Sequence, residues 1–310
     1  MKRETFIVEE VDDGQTLAAV VRGRSEGLSW RKAKEVVREG KVSIEGSARL
    51  DPATRVRAGM QIQIDPHRRA DDSGPKITLV HVDPQIVVVD KPAGLLSVPY
   101  EDETDTVLHF AHVALRRHLK KPHLPPLRVV HRLDKDTSGV MVFARTRGAE
   151  QHLAKLLRAH DIERRYVALC EGRVVAKSHD THLVADRGDG KRGSWRGEKP
   201  PKAAKRAITH VALQRTFDLG ARGRVSKVAC TLETGRQHQI RIHLAEAGTP
   251  ILGERVYGRP DRPTIVAAAR PMLHAEHLGF AHPTRDEVVR FTVEPPDDFQ
   301  SVLAMLTRGG

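Results

Sequence analysis

The chain has 310 residues, 39% of them apolar and 4% aromatic, with a formal charge of +12. That length exceeds what one hydrophobic core usually supports, and that composition is of a folded, loop-rich chain, so two domains are expected and a disordered or fibrous chain is excluded. Residues 107–135 hold seven Lys or Arg against Asp134, and residues 191–206 hold seven against Glu198, so two short tracts account for the whole excess charge.

Concentrated basic tracts mark a path for a polyanion rather than a merely soluble surface, and nucleic acid is the expected partner. The chain opens Met1-Lys2-Arg3-Glu4 with no apolar leader, and no window approaches the ~18 apolar residues of a membrane span. Cys170 and Cys230 lie far apart and outside any CxxC, which reads as two packed thiols in a reducing compartment. A soluble, cytoplasmic protein with no membrane partner is expected, and a monomer is the default.

Residues 12 to 65 read as a compact unit. Ser29 suits an N-cap for a helix over Trp30–Glu39, closed by Gly40. Ala33, Val36 and Val37 form its buried stripe, and Arg31, Lys34 and Arg38 form a separate basic ridge. Two readings of the ridge stand, contact with RNA or an ordinary solvated face. Short strands follow at Val42–Ile44, Arg55–Arg57 and Gln61–Ile64, the first ending in a Glu45-Gly46 turn. Residues 66–76 are polar, charged and bounded by proline, which is linker composition.

The larger part starts with strands at Thr78–Val82 and Ile86–Val89 and a tight turn over Lys91–Gly94. A strand at Val129-Val130 and another over Val140–Ala144 enclose the polar stretch His131-Arg132-Leu133-Asp134-Lys135-Asp136-Thr137-Ser138-Gly139. A plain turn needs a glycine and one aspartate, not a His-Arg pair before the aspartate and two hydroxyls after it. Asp134 therefore reads as a carboxylate held for chemistry. Thr137 and Ser138 are expected to shape its loop through side-chain bonds to the backbone. A helix over Ala149–His160 and a strand at Tyr166–Leu169 come next. Strands without regular βαβ alternation argue for an α+β fold, a large mixed or antiparallel sheet flanked by helices and loops, and against a doubly wound one.

Residues 186–206 combine Gly, Lys, Arg and Pro around Trp195, a composition that builds no core of its own. A mobile loop gripping RNA, with Trp195 stacking on a base, and a disordered insertion are equally consistent with it. Further on, Thr234 and Gln237 have the spacing of a capping box for a helix ended by Gly248, with Ile240, Leu244 and Ala247 facing the core. That places Arg236 in the first turn, where a cation opposes the helix dipole and needs an anionic partner, a phosphate or Asp134. His238/His243 and His274/His277 lack the spacing of a zinc site, so no metal is expected. No GxGxxG follows a strand and no Walker A sequence occurs, which leaves no signal for a nucleotide cofactor. A single Asp134-Lys135-Asp136-Thr137-Ser138-Gly139 loop does not make the paired loops of an aspartic protease.

Taken in order, Lys91-Pro92-Ala93-Gly94, the His131–Gly139 motif, Arg164-Arg165-Tyr166-Val167-Ala168, Thr234-Gly235-Arg236-Gln237-His238-Gln239-Ile240-Arg241-Ile242-His243, Pro250–Gly253, Tyr257-Gly258 and Leu273-His274-Ala275 resemble the RluA-type pseudouridine synthases over about residues 78–293. Glu254 departs from the aspartate usual in that family's Gly-Asp-x-x-Tyr-Gly, an exchange expected to be structural. Gly40-Lys41-Val42-Ser43-Ile44-Glu45-Gly46 behind a basic helix resembles the small RNA-binding domain named after ribosomal protein S-four. The resemblance implies an RNA-binding domain over 1–65, a linker over 66–76 and a catalytic domain over 77–310. It implies isomerisation of uridine to pseudouridine without a cofactor, in large-subunit ribosomal RNA first and transfer RNA second. It implies Asp134 as the essential carboxylate, Arg236 as its ion-pair partner and Tyr166 as the active-site phenol. Arg132 would fill the space left by a flipped base or hold phosphate, and Leu273 would pack the uracil face. The competing reading is a ribosome-assembly factor that binds RNA without catalysis.

Overall fold

In the computed structural model of the chain, the described residues are 3–25, 27–49, 51–67, 75–100, 103, 105–121, 123–258 and 265–308. Most of the expected linker, residues 68–74, lies outside them. Near the N-terminus, β1 (Glu4–Ile7), α1 (Leu17–Arg24), α2 (Trp30–Arg38), β2 (Val42–Ile44), β3 (Ser47–Ala48) and β4 (Gln61–Ile64) form one unit. Its antiparallel sheet has the order β1-β4-β2-β3. Helix α2 begins where Ser29 Oγ accepts the Lys32 N–H (3.2 Å). Its stripe of Ala33, Val36 and Val37 packs on Val42, Ile44, Ile62 and Ile64, while Arg31, Lys34 and Arg38 face solvent. The β2–β3 turn has positive φ at both Glu45 (49°) and Gly46 (78°), a conformation that favours Asn at the first position. Glu45 is held there because its Oε1 accepts the Gln61 N–H (2.7 Å) and its own N–H reaches the Gln61 carbonyl (2.9 Å). The expected strand at Arg55–Arg57 does not form. Only an isolated bridge from Thr16 to Arg55 is present, because the segment folds over the start of α1 instead of extending the sheet.

The rest of the chain builds β5 (Thr78–Val82), β6 (Ile86–Lys91), α3 (Val107–His118), β7 (Arg128–Val129), β8 (Ser138–Ala144), α4 (Arg147–Ala159), β9 (Glu163–Glu171), β10 (Lys177–Val184), β11 (Gly193–Ser194), β12 (Lys205–Asp218), β13 (Arg224–Leu232), α5 (Gln239–Glu246), β14 (Leu273–Ala281), β15 (Val288–Thr292) and α6 (Asp297–Arg308). Eleven strands make one mixed sheet. Its main path runs β11-β10-β12-β13-β9-β14-β8-β6-β5, with β15 added to β14 and β7 to β8. Only β14 and β8 run parallel, which matches the expected mixed α+β architecture.

The centre of this sheet is apolar on both faces. On β6, Val87 and Val89 enter one core while Ile86 and Val88 enter the other, and on β8 Met141 and Phe143 oppose Val140, Val142 and Ala144 in the same way. Period-2 alternation between two cores explains why these strands read as unbroken apolar runs. A one-residue slip of such a strand would exchange its side chains between two separately packed cores. The Asp134 loop, at the head of β8, therefore hangs from a rigid part of the fold.

Candidate active site

The loop between β7 and β8 is fixed from below. Lys91, fully buried, donates from Nζ to the carbonyls of Pro92 (2.9 Å), Lys135 (2.8 Å) and Thr137 (2.7 Å), which uses all three protons of an ammonium group. Burial pushes its pKa down to about 7, against the pull of Asp134 and Asp136. Ser97 Oγ donates to the Leu133 carbonyl (2.7 Å) and accepts the Leu133 N–H (3.0 Å), clamping the residue before Asp134. His131 Nε2 accepts the Val142 N–H (3.0 Å), so the ring is neutral, and burial followed by the charge of Arg164 lowers its pKa to about 4. Gly139 sits at φ 124°, and a Cβ there would lie 2.2 Å from the Ala275 carbonyl oxygen where β8 meets β14. The motif glycine is thus required by a backbone crossing. Thr137 and Ser138 shape the loop otherwise than expected. Thr137 offers its main-chain carbonyl to Lys91, and Ser138 Oγ shares a proton with His274 Nδ1 (3.0 Å).

Asp134 opens into a cavity of about 470 Å³, within the range of small-ligand sites. Its side chain is 19% exposed, and among the described residues it is the only carboxylate of a lining that includes Arg132, Arg158, Arg164, Arg236 and Arg241. Tyr166, on β9, and Leu273, at the start of β14, are buried in the same wall. The Tyr166 phenol is pushed up to about 12 by burial, with Arg164 opposing and Asp134 adding to the shift, so it is neutral at physiological pH. Arg132 lies at the mouth and is exposed. The cavity therefore brings together Asp134, Tyr166, Arg132, Leu273 and Arg236, whereas Arg31, Lys34 and Arg38 lie on the separate N-terminal unit.

Among the described residues Arg236 forms no ion pair with Asp134. The Thr234/Gln237 capping box does not form, and α5 starts at Gln239 behind His238, which takes the left-handed conformation (φ 57°) and caps nothing with its side chain. Thr234 Oγ1 instead donates to Gln239 Oε1 (2.8 Å) and accepts the Ile208 N–H (2.8 Å). Gln239, 2% exposed, also takes the Arg236 N–H (3.0 Å) on Oε1 and donates from Nε2 to the Ile208 carbonyl and Thr209 Oγ1 (both 2.9 Å). With those bonds made, Arg236 falls three residues ahead of the helix, exposed, its Nε donating to the Arg206 carbonyl (3.1 Å).

The arginine held inside is Arg241. Its Nε and Nη2 meet Glu254 Oε2 and Oε1 at 2.6 and 2.8 Å, and the Glu254 side chain is fully buried. Burial would lower the Arg241 pKa, but the Glu254 hydrogen bond and the charges of Glu254 and Asp134 raise it. Burial likewise pushes Glu254 up, and the bond and charge of Arg241 with the Val256 and Tyr257 N–H groups bring it below its ordinary value. Glu254 is thus the structural carboxylate expected at that position. The Arg241 guanidinium also lies 5.4 Å from the Tyr257 ring centroid. Tyr257 shares a proton with His238 Nδ1 (2.8 Å), leaving His238 Nε2 facing Asp134 Oδ1 at 4.0 Å, a charge contact too long for a hydrogen bond. Burial lowers the His238 pKa against the pull of Asp134.

Lys91, Arg164, His238, Arg241 and Tyr257 were given no role in the site from sequence, although each lies in a quoted motif. The available signal was Arg241 within the Ile240–Leu244 apolar run, where a buried cation needs a carboxylate. Cys170 and Cys230 are free and buried, as expected for packed thiols, and burial raises both. Among the described residues one trio could offer ligand atoms to a metal, Glu35, Glu39 and His123, none of which lines the Asp134 cavity. Lys32 and Lys41 already pair with its two carboxylates at 3.2 and 2.6 Å. Among the described residues no helix is long and apolar enough to cross a membrane.

Residues 85–246, the span from β6 to the end of α5, match the RNA pseudouridylate synthase family. The chain is 31% identical to ribosomal large subunit pseudouridine synthase D of Xanthomonas campestris, over 97% of this chain and 91% of that protein. It is 33% identical to the protein of the same name from Zymomonas mobilis, over 90% of each. Among solved structures, human RNA pseudouridylate synthase domain containing 4 superposes with a TM-score of 0.57 at 25% identity, covering 74% of this chain and 92% of that one. The match over residues 85–246 and the 31–33% identity to these relatives across 90% or more of the chain identify it as a member of the RNA pseudouridylate synthase family.

Proposed function

We propose that the chain isomerises uridine to pseudouridine in large-subunit ribosomal RNA, with Asp134 as the essential carboxylate. The observation that carries this reading is a partly exposed carboxylate, single among the described residues, in a cavity whose lining includes five arginines. The names of the Xanthomonas and Zymomonas relatives support ribosomal over transfer RNA. A cation-rich cavity attracts the RNA backbone, and a stacked uridine must leave its helix to enter, at roughly a few kcal/mol. The reaction breaks the bond from ribose C1′ to uracil N1, turns the base, and joins C1′ to C5. The C5 proton is lost and N1 gains one, so atoms balance without a co-reactant.

In this reading Arg241, anchored by Glu254, supplies a fixed positive charge to the cavity that holds Asp134. Tyr166 meets the base as a neutral phenol, packing its face and relaying the C5 proton, and Leu273 covers the opposite apolar surface. Arg132 fills the vacated stack or holds phosphate at the mouth. The N-terminal unit supplies affinity through Arg31, Lys34 and Arg38, as an RNA-binding domain over residues 1–65. Such an enzyme works in the cytoplasm, as a monomer in the simplest case. Tritium release from unmodified large-subunit ribosomal RNA labelled at uracil C5 tests the proposal. Release from that RNA and not from transfer RNA is expected. Release from transfer RNA alone would overturn the substrate, and release from neither would favour a binding factor.

A further inference from the structure

Of the five arginines around Asp134, two are held inside, Arg241 by Glu254 and Arg164 by the Glu233 carbonyl. Arg132, Arg158 and Arg236 are exposed, and among the described residues none of the three pairs with a carboxylate. Arg158 has no role in the account above. It stands in the last turn of α4, whose end is stitched to the segment that carries Arg236. His160, left-handed at φ 61°, donates from Nδ1 to the Glu233 carbonyl (2.7 Å), and Arg164 donates to the same oxygen. Arg236 follows three residues later, steadied on the Arg206 carbonyl. Arg158 and Arg236, from distant parts of the chain, thus line one cavity on segments joined by a shared main-chain anchor.

We propose that Arg158, together with Arg236, forms a binding site for a single RNA phosphate next to the flipped uridine. The inference rests on the reading of the cavity as the uridine site. Flipping a nucleotide swings its flanking phosphates toward the protein, and an arginine can offer two parallel N–H donors to one phosphate. Arg158 then acts on binding and alignment of the RNA and takes no part in bond making. The competing structural role, a cation complementing the dipole at the end of α4, would show in stability instead.

The test uses the whole protein and unmodified large-subunit ribosomal RNA tritiated at uracil C5, with kcat and KM measured across a salt series. Arg158→Gln is expected to raise KM about tenfold, the scale of one charge-assisted hydrogen-bonded contact, with kcat within about twofold of wild type. The slope of log(kcat/KM) against log[salt] should become shallower by about 0.7 to 0.9, one phosphate's share. Arg158→Lys should recover part of the KM loss, since it restores the charge without the fork. Lys155→Gln, the same charge change elsewhere on α4, is expected to leave both unchanged. Unchanged KM and slope in Arg158→Gln, or a lowered melting temperature with unchanged KM, would overturn the phosphate site. Absence of release by the wild-type protein would overturn the uridine reading itself and the inference with it.

Discussion

The floor and the lip of the Asp134 cavity are both built from arginine, yet they are held in opposite ways. On the floor, Arg241 is enclosed by Glu254 and has almost no exposed surface. At the lip, Arg132, Arg158 and Arg236 are exposed and free of carboxylate partners among the described residues. The floor uses a fixed counter-ion to set an orientation, and the partner's own solvation has already been replaced. The lip leaves its charges uncommitted, so they are available to an anion that arrives from solution. One residue type thus performs positioning inside and attraction outside, and the difference lies in the partner.

Breaking the floor should have the larger consequences. Arg241→Gln leaves the Glu254 carboxylate buried without its cation, an imbalance of about 3–5 kcal/mol, and is expected to lower activity at least about a hundredfold. Denaturant melts and kcat on the same preparation would check both, and a stable, active variant would refute the paired floor. Lys91→Met should cost about 2 kcal/mol, because three loop carbonyls lose their donor, and should loosen Asp134 without removing it. A variant with wild-type stability and kcat would show that the loop holds its shape without the ammonium.

Acid should act on buried histidines, one of them at the cavity and two elsewhere in the fold. His131, His109 and His243 are held by burial at about 4, below the ordinary histidine value of about 6.5. The folded chain refuses protons that the unfolded chain accepts, so their contribution to stability is complete above about pH 6.5 and is lost as pH falls through 4. Urea melts at pH 7.5, 6 and 5 should show falling midpoints, and a flat profile would contradict the buried neutral imidazoles. Away from the cavity the effects shrink. Replacing Arg31, Lys34 and Arg38 together should weaken RNA binding and flatten its salt dependence by up to about three ion equivalents, leaving kcat unchanged. An unaltered slope would place the RNA path elsewhere.

How much was legible in the sequence follows the same division. The Asp134 loop could be read because its constraints are local: a hydroxyl pair, a glycine and two flanking apolar runs in one stretch. Gly139 itself needs a strand more than 130 residues away to explain it. Arg241 was passed over for Arg236 because the Thr234/Gln237 spacing imitates a helix cap. The fold instead gives Thr234 to Gln239 and starts the helix two residues beyond Gln237, a choice made by the Ile208 and Thr209 acceptors of β12. Composition also understated residues 186–206. Gly193 and Ser194 add a short strand to β10, and the Ser194 N–H reaches Glu246 Oε1 (2.9 Å) at the end of α5, an anchor with no local signature.

The most direct test of the account is the Asp134→Asn protein, assayed for tritium release from C5-labelled large-subunit ribosomal RNA and for binding to the same RNA. The exchange keeps size and removes the charge. Loss of release by at least about a thousandfold with RNA affinity nearly unchanged is expected, because the lip, not the floor, gathers the RNA. Persisting release would contradict the assignment of Asp134 as the essential carboxylate.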